Sequence, residues 1–220
     1  MSDPILESNL ATALLSARER CVRQGFFGLE HAGVSARLPG GSEFLFVDAT
    51  AAIPLRQSWL EPLATLALTT LHAAVYRFRP DVGAVLTGGG VFAAALHDFG
   101  GAMPVGFDEQ ARHLGRMPGA VSVVAAPEPE LQARLSDGTN TILVGNLPVC
   151  FGTTCQRLVL NAELLEKCAK AYVLAAATGK QVGTLPWWVG RIAMRRLRKD
   201  QRRATERFAQ GLLPEETRGY

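Results

Sequence analysis

Residues 84–96 read AVLTGGGVFAAAL: an apolar run ends in Gly88-Gly89-Gly90 and a second apolar run begins at once. Two segments that favour burial are joined with no polar linker, so the chain must turn sharply at the glycines. The first run suits a buried strand and the second opens a helix. A phosphate cradle of the P-loop kind needs Lys and then Ser or Thr after its glycines, whereas Val91-Phe92-Ala93 follows here. A dinucleotide fingerprint needs a further glycine that GGGVFA lacks. Two readings stay open. Backbone N–H groups at the helix start can receive an anion, or the glycines only let the turn be tight.

The rest of the chain reads as alternating elements. Leu10, Leu14, Leu15 and Val22 predict a helix ending near Gly25. GVSARL and EFLFVDA predict two strands joined through PGG. A second helix is expected from about Ser58, as its cap, to the residue before Pro80. After the glycines come a strand and short helix in AMPVGFDEQARHLG, a strand in AVSVVAA and a helix in EPELQARLSD. TNTILVGN and LPVCFGTT read as two strands, or one broken at Asn146. A long helix follows, with Asn161 as cap and Gly179 as stop. The pattern predicts an α/β fold, with helices on both faces of a mixed, largely antiparallel sheet.

Hydrophobic residues make up 48% of 220 and charged residues 20%, an ordinary globular balance. No apolar run approaches the roughly 20 residues of a membrane span. The polar, acidic start MSDPILESNL does not read as a secretory signal, so a cytoplasmic location is expected. Cys21, Cys150, Cys155 and Cys168 form no CxxC pair and are expected as small buried side chains; Cys150 with Cys155 lacks two further metal ligands nearby. Net charge is +3, but residues 191–207 alone carry +6. This divides the chain into a domain over 1–184 and a basic helical tail over 185–220. The tail is expected to be solvated or to span subunits. With no base-reading motif and no sustained apolar stripe, nucleic-acid and membrane binding are the lesser readings.

LHAAVYRFRPDVGAVLTGGGVFAAAL resembles the core of the class II aldolase/adducin family. His72, Tyr76, Arg79, Pro80, Asp81, Ala84, Val85, Ala93 and Ala95 are in register with its pattern. GLEHAGVSARL resembles the family hairpin through Val34, Ser35 and Arg37, with Gly33 standing where the family has Asn. TILVGNLPVCFG keeps Asn146 and Gly152 of a third motif, and NAELLEKCAKAYVLAAATG resembles the long helix that follows. The likeness runs from about residue 8 to 180. It implies a three-layer α/β/α sandwich, commonly a homotetramer, with the active site at a subunit interface. In family enzymes a carboxylate and three histidines hold zinc, which stabilises an enediolate as a Lewis acid.

This sequence departs at those positions. The family's H-x-H pair reads Thr87 and Gly89, the third histidine reads Leu147, and the carboxylate four residues before His72 reads Leu68. The anion-binding turn after the second strand reads VDAT, with no glycine. No metal ligand set and no cofactor is therefore expected. Of the four histidines, His72 is expected packed and His97 at the surface, and His31 carries no assignment. The remnant cleft is expected to involve Ser35, Thr87, Gly88, Gly89, Gly90, Asn146 and Arg112, with a small-molecule oxyanion as the ligand class. His113 and Asp108 are the candidate catalytic groups. The leading expectation is a metal-free family member acting in binding, scaffolding or regulation. The alternative is a zinc-independent, lyase-like enzyme acting on a small carbonyl or carboxylate compound.

Overall fold

The computed structural model describes residues 4–30, 32–60, 68–117, 119–121, 128–179 and 182–216. A six-stranded sheet lies at its centre, in the order β3-β2-β1-β4-β6-β5, from β1 (Gly33–Arg37), β2 (Glu43–Asp48), β3 (Leu55–Ser58), β4 (Ala84–Thr87), β5 (Thr141–Val144) and β6 (Leu147–Gly152). All five strand pairings are antiparallel. Val121 adds a parallel bridge to Val144, so among the described residues the sheet is mixed at that edge.

Side chains alternate across the strands, so the sheet feeds two cores. Val34, Ala36, Leu86 and Cys150 pack toward α1 (Pro4–Arg23), α3 (Val91–Ala95) and α6 (Cys155–Ala176). Phe44, Val85, Val149 and Phe151 pack on the other side, toward α2 (Leu68–Phe78) and α5 (Glu128–Leu135). Helices on both faces give the expected three layers. A 3-10 turn (Leu96–Phe99), α4 (Asp108–His113) and α7 (Trp187–Ala209) complete the described elements. No described helix is long and apolar enough to cross a membrane.

Four boundaries differ from the sequence expectation. Ser58 does not cap a helix; it ends β3, and its hydroxyl donates to the Ser42 carbonyl at 3.3 Å. Residues 61–67 of that expected helix lie outside the described residues. LRQS has no apolar alternation to predict β3; it is an edge strand paired with β2, and its Arg56 meets Glu43 at 2.5 Å and Glu7 at 3.1 Å. Asn161 is not a cap either. Thr154 caps α6 by accepting the Arg157 N–H at 3.1 Å, and Asn161 is buried in the helix, donating to the Phe151 carbonyl at 2.7 Å. The expected strand within AMPVG is irregular, its polar groups taken by Gln110, which accepts from the Gly106 N–H and donates to the Pro104 carbonyl. Most of the expected strand in AVSVVAA, residues 122–127, lies outside the described residues.

The basic helix α7 packs on the domain. It buries Ala193, Leu197, Gln201, Ala204 and Phe208, spaced three and four apart on one face. Arg37 ties that face to the sheet: its guanidinium lies 4.9 Å from the Trp59 ring centre, 5.2 Å from Tyr76 and 5.3 Å from Phe208. Beside it, Arg79 and Asp81 form a buried two-point ion pair at 2.8 Å, and Arg79 also donates to the Thr139 carbonyl and to Asn140 Oδ1.

Removing one partner of that pair strands a desolvated charge. Asp81→Asn is expected to lower unfolding free energy by roughly 3–5 kcal/mol in urea titration. Arg20→Ala, which breaks a partly exposed pair with Glu163, should cost no more than about 1 kcal/mol.

Candidate functional site

β4 runs between β1 and β6, with Thr87 opposite Gly33 and Val149. The Gly88 N–H donates to the Pro148 carbonyl at 2.9 Å, so the pairing carries on into the glycine turn and brings Gly89 alongside the start of β6. Gly88 has φ +123°, and a Cβ there would sit 2.4 Å from the Phe26 carbonyl oxygen. A Cβ on Gly89 would lie 3.0 Å from the Pro148 ring. The turn is thus filled from both sides by the chain itself, which is the physical reason for glycine at these positions.

Thr87 and Ser35 face α2, where His72 lies completely buried. Thr87 Oγ1 donates to the Gly33 carbonyl at 3.2 Å, which leaves it to accept from His72 Nε2 at 3.1 Å. His72 Nδ1 then accepts from Ser35 Oγ at 2.6 Å, and Ser35 accepts from the Tyr76 hydroxyl at 2.7 Å. One neutral tautomer, protonated at Nε2, satisfies this whole chain from Tyr76 to Gly33. Burial pushes the His72 pKa down to about 3, so the ring is uncharged at neutral pH. Phe46 packs against it nearly at right angles, with ring centres 5.3 Å apart.

The positions that the resemblance assigns to metal ligands come together here. Thr87, Gly89 and Leu147 lie at the adjoining ends of β4 and β6, and Leu68 starts α2 one turn before His72. The donor set does not suit a dication: Gly89 and Leu147 offer no lone pair, and the Thr87 hydroxyl is already engaged with His72. Among the described residues no group of three His, Cys, Asp or Glu side chains could hold a metal.

The backbone N–H groups after the turn are also committed. Glu166 on α6 reaches the start of α3 and accepts from the Phe92 N–H at 3.0 Å and the Ala93 N–H at 2.9 Å. A Cβ on Gly90 would lie 2.2 Å from its carboxyl carbon. The anion expected at the turn is therefore an internal one, and Gly90 makes room for it.

The remaining candidate residues lie elsewhere. Asn146 is exposed in the β5–β6 turn, where the neighbouring Gly145 carbonyl is 3.1 Å from Nδ1 of His97. His97 is itself exposed, as expected. Asp108, Arg112 and His113 are on α4, which packs against α7 and α6. Asp108 and Arg112 line a groove of about 220 Å³ with Trp188, Ile192 and Arg196. His113 is half-buried with Nδ1 3.3 Å from Arg157, and burial together with Arg157 and Arg112 pushes its pKa down to about 4. All four cysteines are buried and free, as expected, and burial pushes the Cys155 thiol up to about 12. Glu166 is the functional side chain that the sequence reading passed over. Its signal was the Leu165-Glu166 pair within the segment that resembles the family's long helix, a carboxylate one turn after Glu163.

A family model described as "Class II Aldolase and Adducin N-terminal domain" matches residues 10–173. Solved structures share the fold at low identity. An L-fuculose 1-phosphate aldolase from Glaciozyma antarctica PI12 is 16% identical, with a TM-score of 0.70 over 98% of this chain and 96% of that one. An aldolase II superfamily protein from Pseudomonas syringae is 18% identical, with a TM-score of 0.69 over 96% of each chain. YgbL from Escherichia coli, a putative aldolase/epimerase/decarboxylase, is 16% identical, with a TM-score of 0.66 over 86% of this chain and 99% of that one. No curated protein matches significantly.

Two outcomes follow from the geometry. Glu166→Ala leaves two helix-start N–H groups without their acceptor and is expected to cost ~1–2 kcal/mol by urea titration, with Glu166→Gln losing less. His72 titrates near its ordinary 6.5 when unfolded but at about 3 when folded. The unfolded chain therefore takes up the proton first, and stability falls as pH drops below 6.5. At pH 5 the loss from His72 is about 2 kcal/mol relative to pH 7. His113 adds to it in the same direction. Urea titrations at several pH values measure both.

Proposed function

This chain belongs to the class II aldolase and adducin family, and we propose that it is a member that binds a ligand or partner rather than one that cleaves carbon–carbon bonds with zinc. The observation that carries this reading is the polar chain Tyr76–Ser35–His72–Thr87, which engages a hydroxyl at one ligand position of the family. Lewis-acid aldol chemistry needs several converging lone pairs to hold the ion. Glycine, leucine and a committed threonine supply almost none.

A regulatory or scaffolding role suits what the fold retains. Ile53, Leu55 and Leu60 expose apolar side chains around β3, and Val91 does so beside the glycine turn, which supports assembly into a homo-oligomer, a tetramer on the family resemblance. Four free buried thiols suit a reducing, cytoplasmic setting. The competing reading, zinc-independent catalysis through His113 and Asp108, predicts turnover of a small carbonyl compound by the metal-free protein.

The test is elemental analysis after incubation with excess zinc and desalting, paired with a cleavage assay on L-fuculose 1-phosphate. The expected result is far below one zinc per chain and no cleavage. Zinc at about one per chain, together with cleavage, would overturn the proposal. Cleavage by the zinc-free protein would favour the competing enzyme.

A further inference from the structure

A cavity of about 1010 Å³ lies away from the glycine turn, between α7 and the segment from Phe99 to Met117. That is ample for a small organic ligand. Its charge is one-sided. Arg116 enters from the segment after α4, and Arg191, Arg195 and Arg198 enter from α7. Among the described residues no carboxylate lines the cavity, and none of the four guanidiniums makes an ion pair.

The α7 arginines are spaced i, i+4 and i+7, so they form one stripe, set apart from the Leu197 and Phe208 face that packs on the domain. Over seven residues the stripe is about 10 Å long, more than one phosphate group occupies. Like charges at this spacing repel one another unless an anion neutralises them. Phe99, Met103, Tyr172, Met194 and Trp187 line the same cavity with apolar and aromatic surface. Trp187 is 75% exposed, leaving an indole face open at the first turn of α7.

We propose that this cavity binds an organic polyphosphate of the nucleoside di- or triphosphate class. Arg191, Arg195, Arg198 and Arg116 would take the phosphates through paired N–H donors, and the ring would stack at Trp187. The proposal is independent of the metal reading, since no residue of the glycine turn or of α2 takes part. It gives the basic helix a ligand that the family fold does not itself require.

The test is calorimetric titration of the full chain at low salt with ATP, ADP and inorganic tripolyphosphate, and with a single-stranded RNA oligomer as competitor. ATP is expected to bind with a dissociation constant on the order of tens of micromolar, weakening as salt is raised. Tripolyphosphate should bind about tenfold more weakly, for want of a ring to stack. Arg191→Gln with Arg195→Gln should weaken both by at least about tenfold. Trp187→Ala should weaken ATP and leave tripolyphosphate unchanged. Arg203→Gln, outside the cavity, should change neither. The arginines are exposed, so these variants should melt with the parent. No heat with ATP at millimolar concentration would overturn the proposal. Binding indifferent to Arg191 and Arg195 would also overturn it. So would RNA binding that ATP cannot displace, which would make the stripe a nucleic-acid surface.

Discussion

A fully buried imidazole has to find one donor and one acceptor, or its burial costs more than the contacts around it return. In this fold His72 finds Ser35 on β1 and Thr87 on β4. Because the two hydroxyls come from neighbouring strands, the histidine pins α2 across that strand pair. Tyr76, one turn further along α2, extends the same chain. The position of α2, and with it the second core of Phe44, Val85 and Phe151, rests on this polar chain being complete. A charged His72 would reverse the chain, since a ring with two donors would make Ser35 accept from Nδ1 and donate to Tyr76 Oη.

The glycine turn on the end of β4 obeys the same economy. Each glycine marks a place where the chain's own atoms come too close for a side chain: the Phe26 carbonyl, the Pro148 ring and the Glu166 carboxylate. Glu166 supplies negative charge at a short helix start, so the loop is closed by α6 and not by a ligand. Two rearrangements, a hydroxyl–imidazole chain and an internal carboxylate, together occupy the region where the family resemblance would place chemistry. The arginine-lined cavity beside α7 is the contrasting case, with cationic groups that the described chain leaves unmatched.

Much of the fold was legible because its signals are local. The short apolar segments GVSAR and EFLFVD flanking the PGG turn, the stop before Pro80 and the apolar spacing of the long helix all act over a few residues. The three-layer arrangement followed from their order and from the family resemblance. What was missed depends on distant partners. LRQS is a strand because its backbone pairs with β2, with Arg56 beside Glu43 and Glu7, and nothing within those four residues says so. Thr154 outcompetes Asn161 as a cap because β6 ends at Gly152, two residues before it. At the site, Ser35 and Thr87, expected in a remnant cleft, are buried against His72, while Asp108, Arg112 and His113 go with α7 and α6. Their grouping in sequence reflected one short helix, and its packing partner lies some 80 residues further along the chain, beyond the reach of pattern reading.

The central claim is that His72 is a neutral structural imidazole locked between two hydroxyls. Imidazole nitrogen NMR of the full-length protein tests it most directly, with spectra taken from about pH 7 to about pH 5, with and without one equivalent of zinc. The account predicts a single neutral tautomer, protonated at Nε2, with shifts that move with neither acid nor zinc. A His72 signal that titrates near its ordinary value, or that moves on adding zinc, would contradict it.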